Sequence, residues 1–141
     1  MNGFSLLCLR LAISYIWLSA GFSKLFNKEF IGGFSKMIAG FASNTHYGFY
    51  ATFLKDHVLP NSQLFAQLTI WGEILTGVAF LLGFPLILAA AIGILMNLNY
   101  FFIATSTPSQ FVNILMIFSQ FATYANNAGN IWGLSASVNK K

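Results

Sequence analysis

Two apolar runs joined by a Gly-Phe-Pro corner decide the fold: residues 64–82, LFAQLTIWGEILTGVAFLL, and residues 86–104, LILAAAIGILMNLNYFFIA, with Gly83-Phe84-Pro85 between them. Each approaches the roughly 20 apolar residues that an α-helix needs to cross a bilayer. Glycine readily ends a helix and proline cannot continue one. The spacing therefore predicts two spanning helices that turn back on each other as antiparallel neighbours.

The same reading extends in both directions. Toward the N-terminus, residues 4–22, FSLLCLRLAISYIWLSAGF, form a third apolar stretch. A cleaved signal peptide is disfavoured there: Arg10 interrupts the apolar region, the basic leading segment is missing, and Phe22 and Lys24 follow the small residues. Toward the C-terminus, TSTPSQ at 105–110 reads as a polar loop whose Ser or Thr can cap the next helix. That fourth helix is expected over about 111–131, with Trp132 at an interface. Composition agrees. The residues AVILMFWYC make up 57% of the 141 and DEKR only 7%, with a mean hydropathy of +0.70. A soluble domain carries roughly 25% charged residues, so a soluble enzyme and a disordered chain are excluded. The net charge of +4, seven Lys/Arg against three acids, is too sparse to coat a phosphate backbone, which excludes nucleic acid as a partner. A single cysteine, Cys8, rules out an internal disulfide or a multi-cysteine metal site, and it reads as a small packing residue.

The expectation is an all-α integral membrane four-helix bundle, one transmembrane domain over 1–141. Its helices are placed at about 4–23, 64–82, 86–104 and 111–131. The long connection, 24–63, is not an ordinary linker. In EFIGGFSKMIAGF, Phe30, Phe34, Ile38 and Phe41 fall near one helical face, which predicts an amphipathic interfacial segment. Two readings of its aromatics, continued in Tyr47, Phe49, Tyr50 and Phe53, stand side by side: anchors in the lipid headgroups, or a lid over a cavity between the helices.

The informative residues are those that hydrocarbon penalises. An ionisable group inside a span costs at least about 2.5–3.5 kcal/mol and faces the bundle interior. Arg10 in the first helix and Glu73 in the second qualify. Arg10, Ser14, Trp17, Gly21 and Lys24 form one stripe; Thr69 and Thr76 flank Glu73; Ala89, Gly93, Asn97 and Phe101 recur at four-residue steps; and Asn113, Gln120, Tyr124 and Asn127 form the last stripe. Facing stripes make a polar-cored bundle. The nominal depths of Arg10 and Glu73 differ by about four residues, roughly 6 Å, so an Arg10–Glu73 pair is expected. That pair either only fixes helix register or does chemistry. In the chemical reading Arg10 and Lys24 attract an anion or a quinone carbonyl, Glu73 relays protons with Arg10 as its catalytic partner, Trp71 or Tyr100 stacks on the ring, and Asn97 and Gln120 join the quinone-binding groups. His46 and His57 lie in the connection with no acid or cysteine cluster nearby, and no span holds an inward histidine, so no metal or haem is expected within the chain.

RLAISYIWLSAGFSKLF at the N-terminus resembles the start of the DoxX/DoxD family of small four-helix membrane proteins. So does FYATFLKDHVLPNSQLFAQLTIWGEILTGVAFLLGFPLILAAAIG, through Pro60, Gly72-Glu73, Gly77 and Leu82-Gly83. The matching positions are Arg10, Lys24, Gly72 and Glu73. The resemblance implies a multi-pass protein of the plasma membrane with cytoplasmic termini, although the lysines of the long connection run against that orientation. The DoxD type is associated with thiosulfate:quinone oxidoreductase, which oxidises thiosulfate to tetrathionate and passes electrons to quinone. The resemblance thus implies quinone as a substrate, and as partners the bilayer, a second small subunit or a larger respiratory complex such as a terminal oxidase. A non-catalytic accessory subunit, packed in a respiratory or photosynthetic complex, is the competing reading.

Overall fold

The computed structural model describes residues 2–138, and among these every regular element is helical. Helix α1 spans Gly3–Phe26, α2 Phe30–Asn44, α3 Gly48–Phe53, α4 Ser62–Leu82, α5 Leu86–Ile103, α6 Thr107–Ala125 and α7 Ser135–Val138. Local signals set the ends. The Asn2 side chain accepts a hydrogen bond from the Ser5 amide, capping α1. Gly83 closes α4 at φ +70°, a left-handed conformation that glycine adopts without strain.

Two boundaries differ from the sequence expectation. α1 continues to Phe26, so Lys24 sits in its last turn rather than beyond it. α6 starts at Thr107, not near 111, because Ser106 caps it and Pro108 occupies its first turn, where a missing N–H costs nothing. It ends at Ala125 rather than 131, and Asn127 is left-handed.

Three helical stretches are long and apolar enough to cross a membrane: Gly3–Phe26, the run Gly48–Leu82, and Leu86–Ile103. Leu11, Tyr15, Leu68, Leu75, Ile87, Leu88 and Leu95 are exposed on their outer sides. Arg10, Ser14, Glu73, Thr76, Asn97, Gln120 and Thr123 are buried. Apolar outside and polar inside is the distribution expected when the solvent is lipid. Cys8 also faces outward, contrary to the packing role expected of it.

α1 packs chiefly on α4. A Cβ at Gly21 would meet Ile74 at 2.6 Å, and one at Gly77 would meet Leu18 at 2.7 Å. These glycines let the two backbones approach closely, and Ser14 Oγ donates to the Gly77 carbonyl at 2.8 Å across the seam. α5 and α6 complete the group: Gln120 of α6 reaches Gly93 of α5 and accepts from Trp17 Nε1 of α1 at 3.1 Å. On α6 the inward residues are Met116, Gln120 and Thr123, whereas Tyr124 and Asn127 of the expected stripe are exposed.

The connection between α1 and α4 is almost wholly helical. α2 buries Phe34, Ile38 and Ala42, with Phe30 and Phe41 packed beside them, so the expected apolar face exists. α3 leads through a π turn, Leu54–Val58, and a 3-10 turn, Leu59–Asn61, into α4. Pro60 lacks an amide donor, and such interruptions bend helices. Bending is required here. The Tyr50 hydroxyl donates to Asn99 Oδ1 at 2.6 Å, and the neighbouring Tyr100 donates to Glu73. A straight helix would hold Tyr50 and Glu73 about 35 Å apart.

Candidate functional site

The expected Arg10–Glu73 pair does not form. Facing residues of antiparallel α1 and α4, such as Gly21 with Ile74 and Leu18 with Gly77, place Glu73 level with about residue 22. Arg10 is therefore about 18 Å away along the bundle at 1.5 Å per residue. A depth count from sequence assumes that both helices begin at their first apolar residue. Depth is instead set by the glycine-lined seam and by the extra turns at the ends of the helices.

Glu73 takes its cation from the other end of α1. Lys24 Nζ donates to both carboxylate oxygens at 2.8 Å, and the Tyr100 hydroxyl donates to Oε1. Glu73 is fully buried, whereas the Lys24 side chain keeps 25% of its surface open. The triad thus joins three helices: α1 supplies Lys24, α4 Glu73 and α5 Tyr100. Burying a carboxylate without partners is prohibitively costly, and here each oxygen has at least one charge-assisted donor.

Above the triad lies a cavity of about 410 Å³, within the range of small-molecule sites. Lys24 and Tyr100 form part of its wall, together with Thr69, Asn99 and Tyr50. The rest is apolar. α2 contributes Phe30, Phe34 and Phe41, the α3 run Phe53 and Leu54, and α4 and α5 Leu68, Leu95 and Met96. Phe30, Phe34, Phe41, Tyr50 and Phe53 of the long connection therefore wall a cavity, as in the second of the two readings open at the sequence level, whereas Tyr47 and Phe49 do not line it. Tyr50 and Phe102 lie with ring centroids 5.2 Å apart, and Thr45 Oγ1 donates to the Phe102 carbonyl at 2.6 Å, fastening this wall to α5.

Of the residues expected at a site, Lys24, Glu73 and Tyr100 come together. Arg10 instead holds the segment after α6: Nη1 donates to the carbonyls of Ala128 at 2.7 Å and Ile131 at 3.0 Å, and Nη2 to that of Trp132 at 3.3 Å. Trp71 is 49% exposed on the outside of α4 and does not line the cavity. Its place in the stacking expectation came from the identity of the side chain, but it sits on the opposite side of α4 from Glu73. Asn97 is buried and donates to the Gly93 carbonyl within its own helix, and Gln120 is engaged with Trp17. Neither lines the cavity. Trp17 does stand behind the site, its ring 6.5 Å from that of Tyr100.

Sequence reasoning missed Tyr50 and Asn99. Tyr50 was visible only as one aromatic among several, and Asn99 is off the four-residue stripe of α5. Their meeting depends on the bend at Pro60. Among the described residues, no three His, Cys, Asp or Glu side chains gather into a metal-holding group.

Compared with known proteins, residues 5–106 match the family model described as DoxX. No curated protein and no solved structure matches the chain.

Proposed function

The chain belongs to the DoxX family, and from that premise we propose that it is the quinone-handling membrane subunit of a respiratory oxidoreductase, with the cavity as its quinone site. Family membership and three helices long enough to cross a bilayer make it a membrane protein. The single observation that carries the finer reading is the Lys24–Glu73–Tyr100 triad, its carboxylate fully buried, at the edge of a largely apolar cavity.

A quinone is an apolar ring with two carbonyl acceptors and a hydrocarbon tail. Aromatic and aliphatic walls suit the ring and tail. Lys24, open to the cavity, can donate to a carbonyl oxygen. Reduction to the quinol takes up two electrons and two protons. Glu73 is a carboxyl able to carry a proton, and Tyr100, bonded to it, stands between it and the ring. When thiosulfate is the donor, two molecules join through a new S–S bond as tetrathionate and release the two electrons.

The reading includes α6 as a fourth crossing. Its 19 residues span about 28 Å, close to the hydrocarbon thickness. Phe111, Val112, Leu115, Phe118 and Phe121 are exposed along its outer face, an apolar stripe that lipid would cover. It also places the protein in the plasma membrane, termini toward the cytoplasm, beside a second small subunit or a larger respiratory complex.

The test is thiosulfate-driven quinone reduction in membranes holding wild type or Glu73→Gln at equal folded amounts. Loss of a positioned acid or base lowers rates by about 10²–10⁴. A drop of that size, with unchanged helical content, supports the proposal. An unchanged rate would make the chain a non-catalytic accessory subunit.

A further inference from the structure

Lys24 and Glu73 carry opposite charges, and both oxygens of the carboxylate lie 2.8 Å from the ammonium. The polar edge of the cavity is therefore neutral as a unit. The third donor of Lys24 makes only a long contact, 3.5 Å, to the Ala20 carbonyl of its own helix, and is the one that a neutral carbonyl in the cavity can take over. Arg10, the cation buried among the described residues, lies about 18 Å away along the bundle, and it already donates to three carbonyls of the chain after α6. The remaining polar groups at the cavity are engaged as well: Tyr50 donates to Asn99 Oδ1, Asn99 Nδ2 to the Leu95 carbonyl, and Thr69 Oγ1 to the Phe65 carbonyl.

We propose that this cavity selects uncharged, lipid-soluble molecules and excludes anions, so that an anionic electron donor is bound and oxidised outside it. The inference rests on the quinone reading and narrows it. A dianion entering here would shed its hydration against phenylalanine and leucine walls, and a charge buried without a free counter-charge is strongly disfavoured. Glu73 is what closes the site to anions, because it occupies the one ammonium that faces the cavity. A neutral ring bearing a carbonyl needs only one hydrogen-bond donor and loses little hydration on entry. The two half-reactions are thus separated in space, and the donor's site belongs to a surface with free positive charge outside this cavity.

The full-length chain, reconstituted in nanodiscs with Trp71→Phe and Trp132→Phe, leaves Trp17 as a fluorescent reporter beside Tyr100. Titration with a short-chain ubiquinone should quench it saturably. Millimolar thiosulfate should leave the midpoint unchanged. Glu73→Gln keeps hydrogen-bonding capacity but frees the charge of Lys24, so thiosulfate should then raise the midpoint about tenfold, the scale of an uncovered charge in a dry site. Adding Lys24→Gln should abolish that sensitivity. Displacement of the quinone by thiosulfate in the Glu73-containing protein overturns the inference and leaves the quinone site standing; this arm needs no further folded variant. A Glu73→Gln protein that stays blind to thiosulfate also overturns it. Failure of the quinone to bind at all overturns the proposed function instead. Radiolabelled thiosulfate retained by Glu73→Gln but not by the Glu73-containing protein then upholds the neutral cavity by itself.

Discussion

Replacing Lys24 with Met strands the Glu73 carboxylate, which has no exposed surface and would keep only its bond from Tyr100. Breaking a buried pair by removing one partner costs about 3–5 kcal/mol, or about two to three and a half decades of the folding equilibrium at 1.4 kcal/mol per decade. The converse change, Glu73→Leu, leaves an ammonium that is already 25% open and can turn toward the cavity. Its cost should be smaller, about 1–3 kcal/mol. Removing both charges with apolar side chains of similar size should cost less than Lys24→Met alone, since desolvation of the pair disappears along with its attraction. The double variant should thus be more stable than additivity predicts by at least about 1 kcal/mol, within the range of measured couplings between touching residues. Unfolding in mixed micelles, titrated with a denaturing detergent and followed by tryptophan fluorescence and circular dichroism, reads all four proteins. Costs that simply add would refute the argument, and so would a Lys24→Met protein within about 1 kcal/mol of wild type, because either result means that the two side chains do not hold each other in a dry interior.

Two further outcomes concern the other end of the bundle and α6. Arg10→Met removes three bonds from a charged donor to the carbonyls of Ala128, Ile131 and Trp132. With such bonds worth about 1.5–3 kcal/mol each, the segment after α6 should exchange its amides at least about tenfold faster, while quinone midpoints at the distant cavity stay within about twofold; a cavity that loses its ligand would place Arg10 in the site after all. Leu115→Lys puts a charge on the outward face of α6, where Leu115 is 66% exposed. If α6 crosses the membrane, insertion should become about 3–4 kcal/mol less favourable, read as the fraction of chains with the segment spanning in a glycosylation-mapping assay; unchanged insertion would remove the fourth crossing.

The amphipathic pattern of the long connection was legible because helical periodicity is local. Phe30, Phe34, Ile38 and Phe41 share a face wherever the helix lies. The inward turn of Arg10 and Glu73 was legible for a different reason, since lipid penalises either of them on the outside regardless of what they meet inside. Their partners were not legible. A partner depends on relative depth, and the depth of α1 against α4 is set where Gly21 meets Ile74 and Gly77 meets Leu18, not by lining up the ends of the two apolar runs.

What the sequence determined alone is the solvent, the helical class and the inward turn of the ionisable Arg10 and Glu73, because these follow from hydropathy and from polar groups that lipid cannot satisfy. The tertiary structure decided which inward groups meet. The close α1–α4 seam at Gly21 and Gly77 set the register that gives Glu73 to Lys24 and leaves Arg10 to the chain after α6. The bend near Pro60 then brought Tyr50 to Asn99 and closed an aromatic wall over the pair. Register and bend are properties of surfaces in contact, and no single helix carries them in its own periodicity.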